Sequence, residues 1–315
     1  MKAVVLDGDD QLIVTDVDEP SPRAKEVAIR VDYAGIQWGD LLTRQGHFPL
    51  PRPFFPGYEA AGEIIAVGDE VDDRRIGQRV AALTRAGAFA EIALADATLT
   101  FDVGDTDVRV AAGFGWVTPT AYALINEVGR VQTGERVLVH AAAGGVGALA
   151  AQYAARAGAG RVVGVVVDEA QRAYASQFPY DLIILADSFP AALDSEAFDV
   201  ILDPIGGTVR LLNIERLAPH GRLVAYGNIA TLAPVEVDVN ALLMQGKSLL
   251  TYNSNLLSHS DPERLAASAR AALETVTSGD IRIDITAEFA LHELDAALAR
   301  LAAGGTHGKS ILRLA

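Results

Sequence analysis

Hydrophobic positions along the chain follow two rhythms, and the change falls near residue 117. Before it, short β-branched or alternating runs such as KAVVL (2–6), EVAIRVDYAG (26–35), AAGEIIAVG (60–68), QRVAAL (78–83) and AFAEIAL (88–94) are separated by Gly, Pro and Asp. That grammar predicts a compact, strongly bent all-β unit. The Pro- and aromatic-rich GHFPLPRPFFPG (46–57) reads as an irregular loop. From Thr118 strands alternate with helices. TPTAYALINEVG (118–129) is a helix, ERVLVHAAA (135–143) a strand and GVGALAAQYAARAG (145–158) a helix. The pattern continues with RVVGVVV (161–167), a helix over 169–177, DLIIL (181–185), FDVILDPIGG (198–207), a helix near 208–217 and GRLVAYGN (221–228). Such alternation implies βαβ units and a doubly wound parallel sheet. The unbroken apolar runs RVVGVVV and DVILD suit strands buried on both faces. The tail adds a helix over 261–279, a strand-like IRIDITAEFA (281–290), a helix over 292–305 and a final strand, KSILRLA (309–315).

One stretch admits two readings. Val137–Ala155 carries no Asp, Glu, Lys or Arg, and a bilayer span needs roughly 20 apolar residues. As a span it would bury His140, Gln152 and three glycines in lipid, with closely balanced charges at its ends instead of a topology signal. As a strand–turn–helix every feature is used. Ala142-x-Gly144-x-x-Gly147 matches the dinucleotide fingerprint with Ala in the first place. The free N–H groups of Ala143, Gly144, Gly145, Val146 and Gly147 then face a pyrophosphate at the positive end of a helix. The cradle is the reading taken. Asp168 lies 21 residues past Gly147, where an acidic side chain holds the ribose 2′-OH of NADH. Asp168 also suits a helix N-cap, and Arg172 is placed to hold the 2′-phosphate of NADPH, so both cofactors stay open.

Composition narrows the classes. The chain has 315 residues, half of them hydrophobic, a formal net charge of −15 and no cysteine. Disulfides, thiol nucleophiles and cysteine-bearing zinc sites are excluded. An acidic chain with no Lys/Arg cluster offers no footprint for nucleic acid or anionic lipid. The opening MKAVVLDGDDQLIV lacks the basic start and apolar run of an export signal, and a cytoplasmic protein with no membrane partner is expected.

The segments VLVHAAAGGVGALAAQYA, FDVILDPIGG, GRLVAYGN and HGKSIL, with AGIQWGDLLTRQGHFP, PGYEAAGEIIAVG and IGQRVAAL, resemble the zinc-free quinone oxidoreductase (zeta-crystallin-like) branch of the medium-chain dehydrogenase/reductase superfamily. The resemblance runs through essentially the whole chain. It implies an α/β fold: a GroES-like β-barrel domain (1–117, completed by 251–315) with a Rossmann doubly wound parallel sheet inserted (118–250) and the active site in the cleft. It also implies an NAD(P)H-dependent reductase of a quinone or α,β-unsaturated carbonyl, working as a homodimer. Zinc-dependent relatives carry a Cys after "AG" and a "GHE" motif. Here Tyr58 stands in place of that His, so no metal is expected. The family's Asn near the nicotinamide is Gln37, and its glycine–alanine–acidic stretch reads FPYD (178–181).

Hydride transfer belongs to the nicotinamide, while the protein supplies orientation and charge stabilisation. Tyr58 is the leading candidate donor to the substrate carbonyl oxygen. Gln37 and Tyr252 are the further substrate-side candidates, and the resemblance places Thr120, Gly227 and Asn228 beside the cofactor. Asp40 and Glu59 read as braces, His140 as a core residue and Lys309 as a family marker without chemistry. Two alternatives remain at this level: a trans-enoyl-thioester reductase, and a nucleotide-binding structural or regulatory protein without turnover.

Overall fold

The computed structural model describes residues 1–314, which divide into two compact units. The first holds Met1–Pro119, Ser258–Gly304 and the chain from Gly308 onward; the second holds Thr120–Leu257 and Gly305–His307. The expected boundary at 250 therefore falls after 257, because residue 252 continues the sheet of the second unit: Tyr252 donates its N–H to the Ala225 carbonyl at 3.0 Å.

The first unit opens with β1 (Lys2–Leu6), β2 (Leu12–Asp16), β3 (Glu26–Ile36), α1 (Trp38–Arg44), β4 (Glu59–Val67), β5 (Arg79–Leu83), β6 (Ile92–Asp96), β7 (Thr100–Asp102) and α2 (Val108–Ala112). The second unit carries α3 (Val117–Ala123, which begins in the first), β8 (Arg136–His140), α4 (Gly145–Arg156), β9 (Arg161–Val166), α5 (Glu169–Ala175), β10 (Leu182–Leu185), β11 (Phe198–Asp203), α6 (Gly207–Glu215), β12 (Leu217–Ala225), α7 (Val239–Gln245) and β13 (Ser248–Thr251). The chain continues through α8 (Ser254–Ser260) and α9 (Pro262–Thr277), then returns to the first unit's sheet with β14 (Ile285–Ala290), α10 (Leu294–Ala302) and β15 (Lys309–Arg313).

In the first unit the strand order is β14-β15-β3-β4-β5-β7, with β6 also paired to β3. β3 can serve three partners because the β3–β4 register slips at Ala28/Ile29 and again at Val31/Tyr33, and such bulges bend and twist a strand. Along β3, Val27 and Ile29 join one cluster with Ile64, Val80 and Ala95. Val31 and Ala34 go to another with Phe89, Leu298 and Leu312. This is the GroES-like domain. Two short helices interrupt the all-β expectation. α1 has seven residues, too few for a helical period to show in sequence; it is started by Gln37, whose N–H donates to Asp40 Oδ2 at 2.8 Å. α2 is capped by Asp107.

The second unit is a six-stranded sheet, β10-β9-β8-β11-β12-β13, parallel throughout. Leu138, Val163, Val165, Ile201 and Leu223 fill its core. Strand order runs one way from β8 through β9 and the other way through β11, so the switch point of this Rossmann fold lies at the C-terminal end of β8. The helix α4 that follows has only 12 residues, and among the described residues no helix is long and apolar enough to cross a membrane. After α3, residues 124–128 form a π-helical turn, which sequence periodicity does not foretell.

A buried ion pair ties the first unit's return segment to its beginning. Lys309 on β15 and Glu59 on β4 are 3% and 1% exposed. Lys309 Nζ donates to Glu59 Oε1 and, at 3.0 Å, to the Ile36 carbonyl. Glu59 Oε2 accepts the Trp116 N–H at 2.9 Å. Gly35 and Gly115 lie against the carboxylate so closely that a Cβ at either would overlap it. Replacing Lys309 by Met leaves the carboxylate buried and unpaired, which costs about 3–5 kcal/mol. Both tryptophans, Trp38 and Trp116, lie in this unit, so their fluorescence reports its unfolding. The expected result is a large fall in the urea midpoint for Lys309→Met, mostly recovered in Lys309→Met/Glu59→Gln; an unchanged midpoint contradicts this role.

Candidate functional site

The candidate residues fall in two clusters, one in each unit. In the second, β8 ends at His140, and Ala141 sits at φ +52°, a conformation non-glycine residues adopt at a cost. The chain then turns into α4, whose first residue is Gly145 and whose N-cap is Gly144 in extended geometry. No side chain caps this helix end. The N–H groups of Gly145, Val146 and Gly147 are therefore left for another acceptor, with the helix's positive end behind them, whereas the Gly144 N–H, expected to be free, donates to the Ala141 carbonyl at 2.9 Å. The cradle requires glycine at one place above all. A Cβ on Gly147 would overlap the Ala141 carbonyl oxygen and lie 2.8 Å from Ala142 Cα, so the helix can approach the strand only with hydrogen there. These residues fit the pyrophosphate of a dinucleotide.

At the end of β9, Asp168 caps α5: its Oδ1 accepts the Gln171 N–H at 2.7 Å. Its Oδ2 makes no hydrogen bond among the described residues. Arg172, the candidate for a 2′-phosphate, is paired with Glu169 at 3.0 Å. Gln171 is buried, its amide donating to the Thr306 carbonyl at 2.8 Å and accepting from the Val167 N–H, so it faces inward and not toward a ligand. Gly227 and Asn228 follow β12 and are held by one side chain. Arg210 donates to the Gly227 carbonyl at 2.7 Å and to Asn228 Oδ1 at 3.0 Å, while its Nε donates to the buried Asp203 at 2.8 Å. Sequence reasoning missed Arg210 and Asp203; the only signal was the aspartate that closes the apolar run VIL in FDVILD. Thr120 lies buried in α3. His140 is a core residue, its Nε2 against Asn213 Oδ1 at 2.7 Å and its ring edge-on to Phe189, and burial lowers its pKa. Tyr252 is 9% exposed at the end of β13.

In the first unit lie Gln37 between β3 and α1, Asp40 on α1, Tyr58 just before β4, Glu59 on β4 and Lys309 on β15. The Tyr58 hydroxyl lies 2.6 Å from Thr43 Oγ1; Thr43, on α1, was not anticipated. When Thr43 donates, the Tyr58 proton is left for a substrate oxygen. The Tyr58 carbonyl accepts from Trp116 Nε1 at 2.7 Å and from the Thr84 N–H at 2.9 Å, fixing its backbone. Burial pushes the Tyr58 phenol up, and the carboxyl of Asp40 adds to the rise, so it stays a neutral donor. Gln37 is half-buried at the N-cap of α1. Asp40 is 2% exposed and its Oδ1 has no partner. Burial, with Glu59 nearby, raises its pKa to about 8. Among the described residues no group of three or more His, Cys, Asp or Glu is arranged to hold a metal.

Comparison with known proteins agrees with this division. Residues 145–271 match the zinc-binding dehydrogenase family and residues 23–105 the alcohol dehydrogenase GroES-like domain. A quinone oxidoreductase of Pseudomonas aeruginosa is 34% identical over 304 residues, covering 93% of this chain and 92% of that protein. A phenolphthiocerol/phthiocerol polyketide synthase component of Mycobacterium tuberculosis is 30% identical over 314 residues; the match covers 97% of this chain but 14% of that protein. A mycobacterial structure solved in complex with NADPH superposes with a TM-score of 0.90 at 27% identity, covering 99% of both chains. The chain belongs to the quinone oxidoreductase branch of the medium-chain dehydrogenase/reductase superfamily and is an NAD(P)H-dependent oxidoreductase.

Proposed function

We propose that the chain reduces a quinone or an α,β-unsaturated carbonyl compound without a metal, and that it favours NADH as the donor. The observation that carries the redox reading is the bare N-terminus of α4 at the sheet's switch point, closed to everything but glycine at 147. Bound there, the reduced nicotinamide supplies a hydride. When hydride reaches the β carbon of an enone, negative charge develops on the carbonyl oxygen, and a donor aimed at it lowers the barrier. Tyr58, steadied by Thr43, supplies that donor, and the half-buried Gln37 amide orients the substrate. Support for a quinone comes from the Pseudomonas aeruginosa relative. The polyketide synthase match favours a second reading, a trans-enoyl-thioester reductase.

The NADH preference rests on charge. Asp168 keeps one carboxylate oxygen for a ribose hydroxyl, whereas a 2′-phosphate would meet that carboxylate and Glu169, with the single positive charge of Arg172 already engaged. A second copy of the chain is the proposed partner. β13 is an edge strand paired only to β12, and the nearby Val239, Leu243 and Met244 of α7 are 72%, 75% and 84% exposed. Large exposed apolar side chains of this kind mark association surfaces.

Turnover of NADH with a panel of free quinones, enones and enoyl thioesters tests the reaction. Tyr58→Phe is expected to lower kcat about 10²-fold with little change in cofactor affinity; undiminished turnover contradicts its role, and activity confined to thioesters selects the second reading. Asp168→Ser is expected to shift the NADPH/NADH affinity ratio about tenfold, or ~1.4 kcal/mol, toward NADPH; an unmoved ratio reduces Asp168 to a cap. A further outcome concerns stability. The folded protein holds the Asp40 proton to about pH 8, whereas an unfolded chain loses it near the ordinary carboxylate value of ~4. Stability therefore falls as pH rises from about 4 to about 8. Asp40→Asn removes this loss, so its Tm should exceed that of the wild type increasingly across that window; a pH-independent difference contradicts the buried, protonated carboxyl.

A further inference from the structure

The segment FPYD departs from the family pattern, and its tyrosine reaches the cradle. Tyr180 Oη donates to the Gly147 carbonyl at 2.8 Å and, sharing the same proton, to the Ala142 carbonyl at 3.1 Å. Ala142 precedes the glycine turn and Gly147 lies in the first turn of α4, so one hydroxyl spans both ends of the loop that leads into the uncapped helix end. The tyrosine is itself pinned. Its N–H donates to the Phe178 carbonyl at 2.7 Å, and the next residue, Asp181, bonds to Val162 through its N–H and its carboxylate. Gly164, inside β9, makes room for the ring: a Cβ there would lie 3.1 Å from Tyr180 Cδ1 and 2.9 Å from Ala142 Cβ. Burial pushes the phenol well above its ordinary range, so it remains a donor at every working pH. The loop needs such a hold, because Ala141 keeps a left-handed backbone that it would leave if unrestrained.

We infer that Tyr180 is a positioning residue for the cofactor: it clasps the two ends of the β8–α4 turn and holds that turn's N–H groups in the geometry that takes a pyrophosphate. The inference rests on the dinucleotide reading of that turn. The clasp touches neither the adenosine 2′ position nor the nicotinamide. Its loss therefore weakens NADH and NADPH alike and leaves the chemical step alone.

Calorimetric titration of Tyr180→Phe with NADH, NADPH and ADP tests this. All three dissociation constants are expected to rise by a common factor of about five to ten, as when a net hydrogen bond of ~1 kcal/mol is lost, while kcat at saturating cofactor and KM for the quinone stay at wild-type values. Gly164→Ala, which crowds the ring while keeping the hydroxyl, should give the same pattern and serves if Tyr180→Phe does not fold. A variant with lowered Tm but unchanged dissociation constants assigns Tyr180 to the core and overturns the inference. So does a loss that falls on NADPH alone. Absence of nucleotide binding by the wild type overturns the dinucleotide reading itself, a distinct outcome.

Discussion

The approach of α4 to the end of β8 is the constraint on which the rest depends. An extended N-cap glycine, a left-handed alanine and a glycine packed on the preceding strand together leave a helix end without any internal acceptor. Orphan N–H groups are expensive unless something satisfies them. They lie at the point where strand order reverses, which is why the proposed dinucleotide phosphate is placed there. The parallel strands bring Asp168 and Asn228 to the same edge of the sheet, and Arg210 locks the loop after β12 to Asp203.

The first unit solves a different problem. It gathers three ionisable side chains, Asp40, Glu59 and Lys309, where water does not reach. Glu59 and Lys309 satisfy each other and two backbone groups between them, which stitches the final strand of the chain to its early ones. Asp40 is less well served and keeps its proton. A neutral carboxyl beside Tyr58 avoids placing an anion next to the phenol proposed as the donor to the substrate oxygen. Tyr58 stands where the resemblance places the histidine of zinc-dependent relatives, and the proposed mechanism uses its hydroxyl there to stabilise developing charge.

Much of this was legible in sequence because it rests on local chemistry. The fingerprint turn, the alternation of strands and helices and the Asp168 cap each depend on residues close together in the chain. What sequence concealed was non-local or short. Arg210 acts on residues seventeen and eighteen positions away, and Lys309 meets a carboxylate 250 positions earlier. Neither leaves a periodic trace. The helices α1 and α2 span seven and five residues, below the length at which amphipathic spacing separates from chance. The Tyr180 clasp was visible only as an odd substitution. The boundary near 250 was misplaced because Tyr252 pairs with β12 as an extension of β13, and nothing in its local sequence marks that bond.

The most direct measurement is the crystal structure with reduced nicotinamide dinucleotide bound. The turn's geometry predicts pyrophosphate oxygens within hydrogen-bond distance of the backbone N–H groups of residues 145–147, with a ribose hydroxyl on Asp168 Oδ2. A dinucleotide lying elsewhere, with that helix end still facing only water, would contradict it.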